Sequence, residues 1–158
     1  MDILKRNGSK EPVKLEKISS RIKKLTYGLN ERVDPDIVST KVVSGLYDGV
    51  SSAELDQLSA ETSASMITTH PDYGKLAARI AISNLHKETS KSFSSTMKRL
   101  YTYVDPKTEE HAPLLSKETY RTIKENAALL DSAIIYDRDF NYDYFGFKTL
   151  ERSYLMKC

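Results

Sequence analysis

A chain of 158 residues, 39% of them hydrophobic, suits one globular domain, or one domain and the start of another, built on a real apolar core. It holds no run of 18 or more apolar residues and no apolar leader segment, which excludes a spanning helix and predicts a soluble, cytoplasmic protein with no membrane partner. Its single cysteine, Cys158, excludes a disulfide framework and a cysteine-cluster zinc site, and His70, His86 and His111 are too scattered for a metal or a triad, so no metal ligand is expected.

Charge is unevenly distributed. Residues 1 to 27 hold eight Lys or Arg against three acids, a local excess of +5, whereas the whole chain is +2 and residues 28 to 158 therefore carry −3. Such an excess points to an anionic partner at the N-terminus, either a small phosphate ligand or a nucleic-acid backbone, although a solvated charged face accounts for it equally well.

Asn7-Gly8 is the pair favoured by a two-residue type I′ turn, in which both residues have positive φ. It predicts an antiparallel hairpin of Ile3 to Arg6 with Ser9 to Leu15, Pro12 falling at an edge or strand end for want of a donor. From Glu16 the period lengthens to about 3.6. Ile18, Ile22, Leu25 and Leu29 form one apolar stripe and Gly28 marks a helix end. A second helix opens on Asp34 as N-cap and Pro35 at its first position, carries Val38, Val42 and Leu46, and ends near Gly49. Ser51 and Glu54 have capping-box spacing for a third, with Leu55, Leu58, Thr62 and Met66 along it and Pro71 beyond its end. A fourth buries Leu76, Ala77, Ile80, Ala81 and Leu85.

Beyond residue 90, Phe93, Met97, Leu100 and Tyr101 continue a helical stripe, "VDPKTEEHAPLLS" reads as a loop, and Tyr120, Ile123, Ala127, Leu130 and Ile134 predict one further helix. Seven of the chain's fourteen aromatics then fall in residues 136 to 158, a density that needs something to pack against. The expected class is mainly α: a small N-terminal β-hairpin lid over a four-helix bundle in residues 1–90, followed by additional helices in 91–158.

Lys5-Arg6-Asn7-Gly8, Val13 and Lys17-Ile18, followed by helices of these lengths, resemble the ATP-cone, a regulatory nucleotide-binding module. "HPDYGKLAARIAISNLHKET" and "SAIIYDRDFNYDYFGFKTLERSYL" extend the resemblance to the N-terminal part of the large subunit of class I ribonucleotide reductase, of the eukaryotic type, across essentially the whole chain. On that resemblance, residues 91–158 lead into a truncated catalytic barrel, with the aromatic segment mobile or packed on neighbouring copies in isolation. The family reduces ribonucleotides to deoxyribonucleotides through cysteine chemistry, and Cys158 matches none of its motifs, so no catalytic residue is assigned here. The cone would be the activity switch, with ATP activating and dATP inhibiting, accompanied by Mg2+. Its partners would be further copies of the chain, dimer to hexamer through the cone, and the small radical-generating subunit.

The resemblance also implies a nucleotide site. Lys5, Arg6 and Lys17 would hold the phosphates, as a cationic hairpin and a helix start can. Glu11, Val13 and Lys14 would lie against the nucleotide, with Glu11 on the adenine amino group and Val13 and Ile18 as the apolar wall. Ser52 and Asp56, four apart on one helix face, would reach the sugar, Asp56 accepting a ribose hydroxyl. Lys87 would add a phosphate contact. Without the resemblance, Asp56 is an ordinary first-turn carboxylate and Lys87 a lysine favourable at a helix C-terminus. A nucleotide-silent assembly module remains an alternative. So does a cone-bearing transcriptional regulator, against which stand the single cysteine and the −3 of residues 28 to 158, so no nucleic-acid partner is expected.

Overall fold

The structure, a computed structural model, describes residues 1–155, and Cys158 lies outside them. Two strands, β1 (Asp2–Leu4) and β2 (Lys10–Pro12), precede eight helices among these residues: α1 (Leu15–Lys23), α2 (Pro35–Ser44), α3 (Ser52–Ser65), α4 (Asp72–Glu88), α5 (Phe93–Tyr101), α6 (Lys117–Glu125), α7 (Ala127–Ala133) and α8 (Tyr144–Ser153). They fall into two compact units, one gathering Met1–Leu85 with the stretch from Asp139 onward, the other His86–Arg138.

The hairpin forms, but its turn is not the expected one. Strand register pairs Leu4 with Lys10 and Ile3 with Glu11, and the Lys5 N–H donates to the Ser9 carbonyl at 2.8 Å, leaving a three-residue loop of Arg6, Asn7 and Gly8. Gly8 N–H closes a turn onto the Lys5 carbonyl at 2.9 Å with φ +81°, whereas Asn7 is not in the left-handed region: among the described residues Glu109 is the only non-glycine with positive φ. A type I turn followed by a left-handed glycine needs one such residue rather than two. Asn7 instead turns its side chain onto the Ser9 N–H at 3.1 Å.

A three-residue strand pair cannot stand alone in water. β1 is held on its other side as well: Leu4 N–H donates to Val50 O at 2.9 Å, Gly49 N–H to Asp2 O at 2.9 Å, and Ser52 Oγ to Leu4 O at 3.2 Å. These bonds fix the hairpin to the start of α3. That start is itself set by the predicted capping box, in which Glu54 N–H donates to Ser51 Oγ at 3.1 Å and Ser51 N–H to Glu54 Oε2 at 2.9 Å.

α1 packs on α2 and α2 on α3, with Ile18, Ile22, Val38, Val42, Leu55, Leu76, Ile80 and Ile82 in one buried cluster. The predicted apolar stripes are therefore real, but α1 and α2 stop earlier than expected. α1 ends at Lys23, not Gly28, because Leu25 and Thr26 turn back on Ile22 and Lys23. The next carbonyls are taken by a side chain: Arg79 donates to Leu25 O and Tyr27 O, each at 2.7 Å, with its guanidinium 3.9 Å above the Tyr27 ring. α2 ends at Ser44 with Gly45 as its cap, short of Gly49. The buried Tyr73 hydroxyl accepts from Asp34 N–H at 3.0 Å and donates to Arg32 O at 3.2 Å, tying α4 to the start of α2.

The aromatic tail joins this core. Asp143 caps α8 by accepting from Gly146 N–H at 2.6 Å, and Tyr144 and Phe147 are buried in the same cluster as Ile18 and Leu76, while Phe145 and Tyr154 are exposed. In the second unit, α5 packs on α6 and α7, and Tyr101 stacks on Tyr120 with ring centroids 4.2 Å apart. The single helix expected across residues 120–134 is two, because the backbone at Asn126, with φ −111° and ψ 20°, leaves the helical range between them.

Leu76 is fully buried, so Leu76→Ala should cost about 2–5 kcal/mol of stability, read from a urea denaturation midpoint. Asp131 gives a pH test. It accepts from Ser94 Oγ at 2.7 Å and Ser94 N–H at 2.8 Å, and these bonds hold its carboxyl below the usual range. Its contribution is present above the pKa of an unfolded aspartate and is lost as pH falls through the depressed folded value. The protection factor of the Ser94 amide, its exchange taken relative to the intrinsic rate at each pH, should fall on acidification, and Asp131→Asn should remove that acid dependence.

Candidate functional site

A cleft opens beneath the hairpin, walled by α1, α3 and α4. It spans about 800 Å³, counting space open to solvent. β-strand alternation turns Ile3, Lys5 and Glu11 to one face, and all three line it. α1 presents Lys17, Ile18, Arg21 and Ile22, with Lys14 just before its start and Leu25 just past its end, a spacing of three and four that keeps them on one side of a helix. α3 supplies Ser52, Leu55, Asp56 and Ser59, and α4 supplies Ile80 and Ser83. The floor is thus apolar and the rim carries four cations and two acids.

The acids organise the cations. Glu11 is held between two ammonium groups, Lys5 Nζ at 2.5 Å from Oε2 and Lys17 Nζ on Oε1. Asp56 is the deeper group, its side chain 3% exposed. Arg21 forks onto it, Nη1 to Oδ1 and Nη2 to Oδ2. Arg6, from the hairpin turn, reaches Oδ2 at 3.2 Å and also donates to Asn84 Oδ1 on α4. Burial pushes the Asp56 carboxyl above the ordinary carboxylate range, and Arg21 and Arg6 pull against that shift.

Of the residues expected from sequence, Lys5, Glu11, Lys14, Lys17, Ile18, Ser52 and Asp56 meet in this cleft. Arg6 joins through Asp56. Val13 does not line it and packs against the core instead. Lys87 lies in the last turn of α4, within the second unit. Arg21 was missed, as were Leu55, Ser59, Ile80 and Ser83. For Arg21 the signal existed: it continues the Lys14, Lys17 spacing along the same helix that carries the Ile18, Ile22, Leu25 stripe. Among the described residues, no group of three or more His, Cys, Asp or Glu is placed to hold a metal ion, and no helix is long and apolar enough to cross a membrane.

A hairpin with paired acids and cations, set over helices, fits the family comparison, in which residues 1–88 match the ATP cone domain. The chain belongs to the ATP-cone family. It is 60% identical over 156 residues to the ribonucleoside-diphosphate reductase large subunit of Caenorhabditis elegans, covering 98% of this chain and 20% of that protein. It is 58% identical over 158 residues to the corresponding subunit of Danio rerio, covering 99% and 20%. It is 56% identical over 158 residues to the ribonucleoside-diphosphate reductase large chain 2 of Saccharomyces cerevisiae, covering 99% and 18%. The chain therefore spans about a fifth of the length of these curated relatives, and the resemblance to the eukaryotic-type large subunit is borne out.

The Glu11 bridges lie at the exposed rim, with Lys5 and Lys17 side chains 42% and 60% accessible. Exposed pairs contribute little, so Glu11→Gln should change unfolding stability by less than about 1 kcal/mol. Chemical denaturation of the two proteins side by side checks this, and a larger loss would make the bridge part of what holds the hairpin down.

Proposed function

We propose that this chain is a regulatory region that binds ATP or dATP in the cleft beneath the hairpin and thereby controls the reduction of ribonucleotides in a ribonucleoside-diphosphate reductase large subunit. The observation that carries the reading is the composition of the cleft: Lys5, Lys14, Lys17 and Arg21 around an apolar floor of Ile18, Ile22, Leu55 and Ile80, with a buried carboxylate at its side. Cations suit a triphosphate, an apolar floor suits a purine ring, and an acid suits a sugar hydroxyl. In this reading Lys5, Arg6 and Lys17 meet phosphate, Lys14 lies against the nucleotide, Ile18 meets the base, and Asp56 and Ser52 serve the ribose.

Glu11 is assigned to the adenine amino group, Val13 to the edge of the base site and Lys87 to an outer phosphate contact. Mg2+ would arrive on the phosphate oxygens, its preferred hard ligands. Residues 1–90 are the cone, and residues 91–158 are connecting helices and the start of a catalytic barrel. Because ATP and dATP differ by one hydroxyl, a small contact difference must shift a larger equilibrium, for which association of copies through the cone, up to a hexamer, is suited. The small radical-generating subunit is the other expected partner, in the cytoplasm.

Calorimetric titration with ATP and with dATP, with light scattering on the same samples, tests this. Micromolar binding with dATP-driven assembly is the expected result, whereas binding of neither nucleotide would leave an assembly scaffold. Lys5→Ala should weaken triphosphate binding by about 1 kcal/mol or more, the scale of one charge-assisted hydrogen bond. Unchanged affinity would place the phosphates elsewhere.

A further inference from the structure

The proposed site leaves Arg21 without a role, although it is the cation most tightly engaged with the acid of the cleft. We infer that Arg21 is a positioning residue: by gripping both oxygens of Asp56 it fixes the plane of that carboxylate, and so sets how well the site distinguishes a nucleotide that has a 2′-hydroxyl from one that lacks it. The inference rests on the nucleotide reading of the cleft.

Three observations carry it. Arg21 engages Oδ1 and Oδ2 through separate nitrogens, the fork geometry that a planar guanidinium alone provides, and Arg6 reaches Oδ2 at 3.2 Å. Arg21 also stands on a nine-residue helix whose neighbouring Ile18 and Ile22 are buried, so its anchor is rigid, while Arg6 comes from a hairpin turn. Finally, the two side chains differ in surroundings: Asp56 is 3% exposed and Arg21 33% exposed, and Arg21 lines the cleft, so it holds the acid from the side on which a ligand would lie.

Orientation matters because the bond to be discriminated is small. An aspartate carboxylate turns about a broad, two-fold torsion. A hydroxyl-to-carboxylate bond contributes only when the acceptor faces the donor. A carboxylate left free to rotate, or tied at one oxygen, presents its lone pairs in many directions and loses the difference between the two sugars while keeping the attraction of the cations for phosphate. A lysine at position 21 would supply the charge but only a point contact, so charge and fork can be separated experimentally.

The test titrates ATP and dATP into the whole chain as wild type, Arg21→Gln, Arg21→Lys, Asp56→Asn and the Arg21→Gln/Asp56→Asn double variant, with thermal melting of each. The expected result is that wild type favours one nucleotide, that Arg21→Gln and Arg21→Lys both bring the two affinities closer by about threefold or more, and that Arg21→Lys does so while melting near wild type. In the Asp56→Asn background, Arg21→Gln should leave the ratio unchanged. A loss shared equally by both nucleotides in Arg21→Lys, with the ratio intact, overturns the inference and makes Arg21 a structural or general electrostatic residue. So does a ratio shift that persists without the Asp56 carboxylate, or a wild type that binds both nucleotides equally. Absence of wild-type binding to either nucleotide removes the site reading itself along with the inference, and is thereby told apart from the other failures.

Discussion

One buried carboxylate joins the pieces of the cleft. Asp56 belongs to α3, and it is paired with Arg21 from α1 and with Arg6 from the hairpin turn. A lone ionised carboxylate at that depth would pay a large desolvation penalty, and the two guanidinium groups are what offset it. Satisfying the acid therefore brings Arg21 of α1 and Arg6 of the turn together on α3. Asn84 completes the arrangement by receiving Arg6 from the α4 side. The cleft is the space left between elements that this one charge draws together.

That arrangement has an energetic consequence for any anion that enters. Both acids of the cleft already hold two cations each in the protein alone: Glu11 with Lys5 and Lys17, Asp56 with Arg6 and Arg21. A phosphate chain does not meet bare positive charge. It exchanges carboxylate partners for phosphate partners, and the gain is the difference between two sets of charge-assisted bonds rather than their sum. The exposed Glu11 bridges are the easier pair to exchange, since water screens them in both states.

Much of this was legible in the sequence because it rests on local rules. The capping box at Ser51 and Glu54, the Asp34-Pro35 helix start and the apolar stripes of the four cone helices each follow from spacing alone. Less was legible where a distant side chain intervened. α1 stops before Gly28 because Arg79, more than fifty residues away, takes the carbonyls of Leu25 and Tyr27. Asn126 divides a continuous apolar stripe where its backbone leaves the helical range, which no periodicity reveals. Val13 looked like a cleft wall by its place after the turn, yet it packs on the core. Arg21 was passed over because a cation on an amphipathic helix reads as solvated until the partner acid on α3 is known to lie opposite.

The three-residue turn of the hairpin carries a further implication. Side chains alternate along a strand, so the number of residues in Arg6-Asn7-Gly8 decides which members of β1 and β2 share a face. With three, Ile3, Lys5 and Glu11 look into the cleft together. One residue more or fewer, with β1 still pinned to Val50, would slide β2 by one position and turn Glu11 away from the face it shares with Ile3 and Lys5. The chemistry of the cleft is thus written partly in loop length: two chains with identical cations could differ in what they hold merely by an insertion at this turn.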